Sequence, residues 1–273
     1  MTTTPTDASG SHVAARAGAP TGIDAQPEDE YFDLMASVAE AHWWYRGRRA
    51  LVRQQLRRRF RRGSVALDVG CGTSETLDVL RSLGAGAAVG TDLSEAALRY
   101  AGRRRPRPDV VRSLAEHLPI RDGSIGCLVS MDVIEHLDDD VLALREYVRV
   151  LEPGAVVLLT VPAYEFLWGE HDERACHRRR YTAAQLRDAA EQAGIAVQRI
   201  TYYYSFLLPG AYLVRRTPLK RLITVTDDEA AMMHPLLEAT FTVLAWFERK
   251  VARFVRIPFG LSILLIGRTP QAE

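Results

Sequence analysis

From residue 64 onward, short apolar runs alternate with stretches whose apolar residues recur every three or four positions. The runs are VALDV (65–69), AAVGTD (87–92), a short one at 110–113, 125–131, AVVLLTVP (155–162), 197–203 and 262–267. Between them the spacing predicts helices over 74–83, 94–104, 139–151 and 182–193, the last stopped by Gly194. Strands alternating with helices predict an α/β fold, a mostly parallel seven-stranded sheet with helices on both faces. The AVVLLTVP run has no polar alternation, as expected for a strand buried on both sides.

The flanking segments have a different texture. Residues 1–27, rich in Thr, Ala, Gly and Pro, are expected to form a disordered leader, with no apolar core of the kind a signal peptide or anchor needs. Over 28–62, Tyr31, Phe32, Met35, Val38, Trp43, Leu51, Val52 and Leu56 predict two helices broken near Gly47. The core is expected over 63–204, a helical insert over 205–257, and the last strand and tail over 258–273. Within the insert, Leu236, Leu237, Phe241, Leu244, Phe247 and Val251 predict a helix over 235–255, with Arg249, Lys250, Arg253 and Arg256 towards its end. Packing on the sheet edge is one reading of that helix. Peripheral contact with the inner face of a membrane is the other.

Composition narrows the classes. The chain has 273 residues, with 47% hydrophobic and 25% charged residues, which is ordinary for a globular protein. Basic and acidic residues nearly balance at 35 and 34, so a globally polyanion-binding protein is not indicated. All but Lys220 and Lys250 of the basic residues are arginine, a bias that weakens any argument from arginine number. Even so, nine arginines crowd the 17 residues from 46 to 62 and could track phosphates or an anionic surface. Cys71, Cys127 and Cys176 have no paired spacing for zinc or a disulfide framework, which suits a reduced, cytoplasmic setting. The longest apolar stretches are too short to span a bilayer.

The chemistry concentrates in VALDVGCGTSE. Gly70 and Gly72 follow the first strand and precede a helix, where bare backbone can approach a ligand. A dinucleotide fingerprint would carry a third glycine where Glu75 stands, and its pyrophosphate would meet that carboxylate. Asp92 ends the second strand, the place from which a carboxylate accepts from both ribose hydroxyls. A nucleoside without a pyrophosphate fits these residues better.

D-V-G-C-G-T followed by G-T-D-L-S, and then AEHLPIRDGSIGCLVSMDVIEHL, resembles the class I S-adenosylmethionine-dependent methyltransferases of the type 11-like group. The resemblance runs from about residue 63 to 267. It implies a Rossmann-like doubly wound sheet with an N-terminal helical lid and S-adenosyl-L-methionine as cofactor. It also implies that Asp68, Gly70, Cys71 and Gly72 frame the methionine moiety, that Asp92 and Leu93 hold the ribose and flank adenine, that Ala115 and Glu116 lie beside adenine, and that Met131 sits near the sulfonium. Where the family often has an aspartate before the Ala-Glu pair, this chain has Leu114.

On the acceptor side, methyl transfer is an in-line displacement, so the protein chiefly aligns donor and acceptor. A hydroxyl acceptor also needs a base, and loops after strands four and five offer His136, His171 and Asp172 as the catalytic candidates, with His177 and Tyr181 in the same segment. His171 beside Asp172 reads as an imidazole oriented by a carboxylate. The D-x-x-E-H pattern of Asp132, Glu135 and His136 resembles certain quinone-biosynthesis O-methyltransferases that hold a divalent metal; a structural or capping role is expected here, and no metal is assigned. Tyr202, Tyr203, Tyr204 and Phe206 are expected either to line an apolar acceptor pocket or to pack a sheet edge. His42, Trp43, Trp44, Tyr45 and Arg46 belong either to a lid or to the core.

The function expected is thus methyl transfer to a small-molecule acceptor, a hydroxyl of a specialised metabolite, sugar or lipid-like compound. An RNA methyltransferase is the runner-up, supported by the arginine-rich helix but lacking a base-flipping N-P-P-Y-like motif. A non-catalytic binding subunit is the alternative from another class.

Overall fold

The computed structural model describes residues 42–216 and 234–271. Seven strands form one sheet: β1 (Val65–Val69), β2 (Ala87–Asp92), β3 (Asp109–Arg112), β4 (Ile125–Met131), β5 (Leu151–Pro162), β6 (Ala196–Tyr203) and β7 (Ser262–Arg268). Their order is β3-β2-β1-β4-β5-β7-β6, with β7 antiparallel to both neighbours and the other pairings parallel. The helices are α1 (Trp43–Leu56), α2 (Glu75–Ser82), α3 (Glu95–Arg103), α4 (Asp140–Val150), α5 (Glu170–Arg174), α6 (Ala183–Gln192), α7 (Leu208–Arg216) and α8 (Pro235–Val251). Since β1 lies between β2 and β4, the strand order reverses there, and a crevice opens at the carboxyl ends of these strands.

Period-two alternation sorts the strand residues onto two cores. Leu67, Val69, Leu128, Val157 and Leu159 meet α4 and α6 through Leu144, Tyr147, Leu186 and Ala190. Ala66, Cys127, Val129, Val156 and Leu158 share the other core with Leu51 and Leu56 of α1, Leu77 and Leu80 of α2, and Ala245 of α8. Helix starts follow their capping residues. Ser94 Oγ accepts from Ala97 N at 3.0 Å, Asp139 Oδ1 from Leu142 N at 2.8 Å, and Thr182 forms a capping box with Gln185.

Four expectations are revised. The helix does not break at Gly47: α1 runs through it, and the glycine leaves room for Tyr204, whose hydroxyl would lie 3.2 Å from a Cβ there. The fifth strand starts at Leu151, four residues before the apolar run, since α4 passes directly into it. The insert holds α7, which the apolar spacing did not reveal, and α8 ends at Val251. Finally, α8 packs against α1 as well as beside the edge strand β6: Phe241 meets Trp43 with ring centroids 5.3 Å apart, Gln54 Nε2 donates to Arg249 O at 2.9 Å, and Glu248 accepts from Tyr204 N just after β6. The expected leader and first N-terminal helix lie outside the described residues, except for the segment from His42 onward.

Trp43 is the hinge of that packing, buried edge-on against Trp44 and Tyr204 and tilted against Phe206 and Phe241. Trp43→Ala is expected to remove about 3–5 kcal/mol of unfolding free energy in urea denaturation. A loss below about 1 kcal/mol would mean that α1 and α8 do not depend on this seat.

Candidate functional site

The crevice is built from strand ends and the turns that leave them. Gly70 and Gly72, at φ +69 and +50, turn the chain from β1 towards α2. A Cβ on Gly70 would fall 2.3 Å from Val133 Cγ2, so the β1 exit packs directly on the β4 exit, whereas space beside Gly72 is open. Gly70 N and Cys71 N both donate to Thr91 O, at 2.8 and 2.9 Å, which ties the turn to β2. The Cys71 side chain faces Gly90 of β2, and burial pushes its thiol pKa up; any role it has in holding a ligand belongs to its main chain.

Asp92 closes the turn from the β2 side. Its Oδ2 accepts from Gly72 N at 2.8 Å and its Oδ1 from Ser94 N at 2.9 Å. Each oxygen keeps a lone pair for a further donor, with the carboxylate's direction already set. Leu93, next along, is 55% exposed, an apolar surface at the crevice rim. Glu116 Oε2, Ser74 Oγ and Ser113 Oγ are buried with no hydrogen-bond partner among the described residues, so donors or acceptors are left for a ligand. Ala115 is buried beside Glu116.

Asp68 lies one residue before the carboxyl end of β1 and is 2% exposed. Burial raises its pKa well above the carboxylate range, Asp92 and Glu75 add to that, and Arg48 works against it. A concentration of desolvated carboxylates of this kind favours a cationic ligand group. The sulfonium and ammonium of S-adenosylmethionine are such groups, its ribose supplies two hydroxyl donors for Asp92, and the open backbone at Gly72 admits it. The residues present fit that cofactor.

Arg48 enters from α1 and forms an ion pair with Asp132, the residue after β4. Asp132 adopts a left-handed backbone at φ +54, accepts from Thr160 Oγ1 at 3.2 Å, and donates its N–H to Thr160 O at 2.9 Å. Burial opposes the Arg48 charge, but Asp132, with Tyr204 and Tyr45, more than compensates and raises the guanidinium pKa. Around this pair Trp44, Met131, Thr160, Tyr203 and Tyr204 line a small, nearly closed pocket of about 10 Å³. Trp44 and Tyr204 stack with centroids 4.2 Å apart. Burial pushes the Tyr203 hydroxyl up to about 12 and raises that of Tyr204 further, so both remain neutral walls.

The three tyrosines expected at a pocket therefore separate. Tyr202 faces the opposite core, its hydroxyl accepting from Ala183 N at 3.1 Å and its ring stacked on Tyr164. Tyr203 takes the pocket side by alternation, and Tyr204 joins it because its own backbone is left-handed, at φ +58. Phe206 packs against Trp43 and Phe241 instead. Likewise Trp43 goes to the core and Trp44 to the pocket.

The residues expected to act on the acceptor's proton do not line this pocket. Asp172 is fully buried, and its Oδ1 accepts from Arg180 Nε at 2.7 Å and meets His177 Nδ1 at 2.8 Å. Burial alone would raise the Asp172 pKa; the bonds from His177 and Arg180 more than reverse this and hold it well below the usual range. This carboxylate meets the imidazole of His177, five residues on, and the exposed His171 lies edge-on to that ring with centroids 6.0 Å apart. His136 lies edge-on to His177 with centroids 4.7 Å apart; burial and the facing His177 lower its pKa. Arg48, missed in the sequence among many arginines, could have been singled out only by its partner.

A family model described as a methyltransferase domain matches residues 67–159. A probable S-adenosylmethionine-dependent methyltransferase of Mycolicibacterium smegmatis is 34% identical over 163 residues, 59% of this chain and 62% of that protein. The chain thus spans about three fifths of the length of that curated relative. Among solved structures, the complex between the Haloferax volcanii Trm112 methyltransferase activator and a methyltransferase contains a chain with a TM-score of 0.59 at 20% identity, covering 90% of this chain and 96% of that one. The cyclase SpnF matches at a TM-score of 0.59 and 20% identity, covering 89% and 94%. At such identities the likeness is one of fold, and the cyclase shows that the fold serves other chemistry.

Asp92→Ala is expected to weaken S-adenosylmethionine binding by about 1–3 kcal/mol, through lost charge-assisted hydrogen bonds and a slackened Gly72 turn. Titration calorimetry giving unchanged affinity would remove Asp92 from the cofactor site.

Proposed function

We propose that the chain is a class I S-adenosylmethionine-dependent methyltransferase, built on the methyltransferase domain matched over residues 67–159, and that it transfers the methyl group to a hydroxyl of a small-molecule acceptor. The observation that carries this reading is the juxtaposition at Met131: the acidic, glycine-opened cradle of β1 and β2 lies on one side, and a pocket walled by Trp44, Tyr203 and Tyr204 on the other. Neutral aromatic walls suit an apolar or sugar-like body, and the Arg48–Asp132 pair gives that pocket a polar floor. Transfer from a sulfonium requires alignment above all; with an open volume of about 10 Å³, this pocket admits an acceptor only once Trp44 and α1 move aside.

The runner-up acceptor, RNA, draws on the arginines of α1. Arg46, Arg49, Arg53, Arg57, Arg58 and Arg59 do line an open cleft of about 960 Å³ with Arg249, Lys250 and Arg253. That cleft is lined by α1 and the turn after it, α2, α8, Arg104 and Arg199 of β6, and shares no lining residue with the pocket at Met131. Incubating the protein with methyl-labelled S-adenosylmethionine and an extract of its source organism is expected to place label in the polar or organic small-molecule fraction. Label confined to RNA would replace this reading with the runner-up. Intact cofactor binding with no label in any fraction would support a non-catalytic binding subunit.

A second reading concerns location. No helix of the described residues is long and apolar enough to cross a membrane. On and after α8, however, Val243, Trp246, Phe247, Phe254 and Val255 are exposed, Phe254 at 87%, beside Arg249, Lys250, Arg253 and Arg256. An apolar row flanked by cations suits peripheral contact with an anionic bilayer. Co-sedimentation with phosphatidylglycerol vesicles but not phosphatidylcholine vesicles, weakened by salt and by Phe254→Glu, is the expected result. Equal absence from both pellets would refute it.

A further inference from the structure

Beyond the β4 exit, the chain buries a carboxylate that no other residue among those described satisfies. Glu135 is 0% exposed, and neither of its side-chain oxygens has a hydrogen-bond partner among the described residues. An unpaired buried carboxylate is among the costliest groups a fold can carry. Protonation would remove the charge yet leave the new O–H and the second oxygen unpaired. Arg48 and Arg180 act on Glu135 only through space.

Two imidazoles face the same point. One ligand atom each from Glu135, His136 and His177 lie within 4.8 Å of one another. The His177 Nδ1 is engaged by Asp172, which leaves Nε2 for the cluster, and Asp172 is itself held by Arg180 Nε and by Gly169 N at 2.9 Å. The His136 ring is faced by backbone carbonyls of Ala175 and Cys176. Imidazoles whose second nitrogen is engaged by a carboxylate or carbonyl are the usual form of metal-ligating histidine, because that outer bond fixes tautomer and direction. The two chain segments are also joined, with Arg178 N donating to Glu135 O at 2.7 Å.

We propose that Glu135, His136 and His177 bind one divalent transition-metal ion of the zinc class. Two imidazole nitrogens and one carboxylate oxygen are the donors such ions take, whereas magnesium prefers oxygen ligands and retained water. Ligand atoms around tetrahedral zinc sit about 3.3 Å apart, so the side chains close by about an ångström on binding. The ion neutralises Glu135 and joins the β4 exit to the segment after β5. Asp132, the first residue of the D-x-x-E-H pattern, lies outside the cluster because Arg48 and Thr160 hold it. The proposal is independent of the acceptor's identity.

The test uses the full chain, stripped with a chelator and then titrated with Zn²⁺. One equivalent is expected to bind with sub-micromolar affinity and to raise the melting temperature. Bound Co²⁺ is expected to give d–d absorption of a low-coordinate nitrogen and oxygen site. His177→Ala and Glu135→Gln should each weaken Zn²⁺ binding at least tenfold, with S-adenosylmethionine affinity unchanged. If a variant fails to fold, the Co²⁺ spectrum of the wild type decides. Absent stoichiometric binding, a hexa-aqua-like Co²⁺ spectrum, or full affinity in folded His177→Ala would each overturn the site. Loss of S-adenosylmethionine binding by the wild type would instead count against the methyltransferase reading.

Discussion

The contact between Arg48 and Asp132 governs how this molecule is assembled at its functional edge. The carboxyl ends of the central strands gather Asp68, Asp92 and Asp132, with Glu75 at the start of α2, a concentration of negative charge that burial makes worse. Two guanidinium groups offset some of that repulsion: Arg104 pairs with Glu75 at 2.8 Å, and Arg48, carried in by α1, is itself retained as a charge by the carboxylates it meets. Breaking a largely buried pair leaves the survivor uncompensated, which costs far more than the pair is worth against an apolar substitute. The position of α1 is therefore tied to the electrostatics of the sheet edge, and with α1 come Trp44 and the stacked Tyr204 that wall the pocket.

Around that pair, geometry divides labour between backbone and side chains. Gly70 and Gly72 supply bare main chain, and Asp92 supplies a carboxylate oriented by two N–H donors. The negative potential left after Arg48 has taken its share is complementary to a donor that carries a sulfonium. Glu248 of α8 has a comparable role in the layer behind the pocket: its carboxylate accepts from Ser205 N at 2.7 Å and from Ser205 Oγ, bracing the turn that follows Tyr204. Helix α8 thus supports the pocket wall through a polar contact as well as through Phe241.

Much of the sheet is legible in the sequence because strand and helix periods differ, and because the runs 65–69, 87–92 and 125–131 contain few residues that suit any other element. The cofactor turn is legible for a local reason too. Its glycines, Asp68 and Asp92 occupy consecutive strand ends, so chain order and spatial order coincide there. The acceptor side is less so. His171 next to Asp172 has the look of an oriented imidazole, yet the carboxylate also meets His177, which reaches it only after the chain has folded back. In the same way Gly47 reads as a break, although its purpose is room for Tyr204, a residue 157 positions away that no local pattern could show.

By itself, then, the sequence determined the order of strands and helices, the glycine turn and the carboxylates at the strand ends beside it, since each rests on periodicity or on residues a few positions apart. Tertiary structure alone decided which arginine among 33 pairs with Asp132, which tyrosines reach the pocket, and that Glu135, His136 and His177 converge. Those outcomes depend on contacts between distant segments and, at Tyr204 and Asp132, on left-handed backbone that composition does not announce. Side chains of one type are interchangeable in a pattern, but a buried charge selects a single partner by distance.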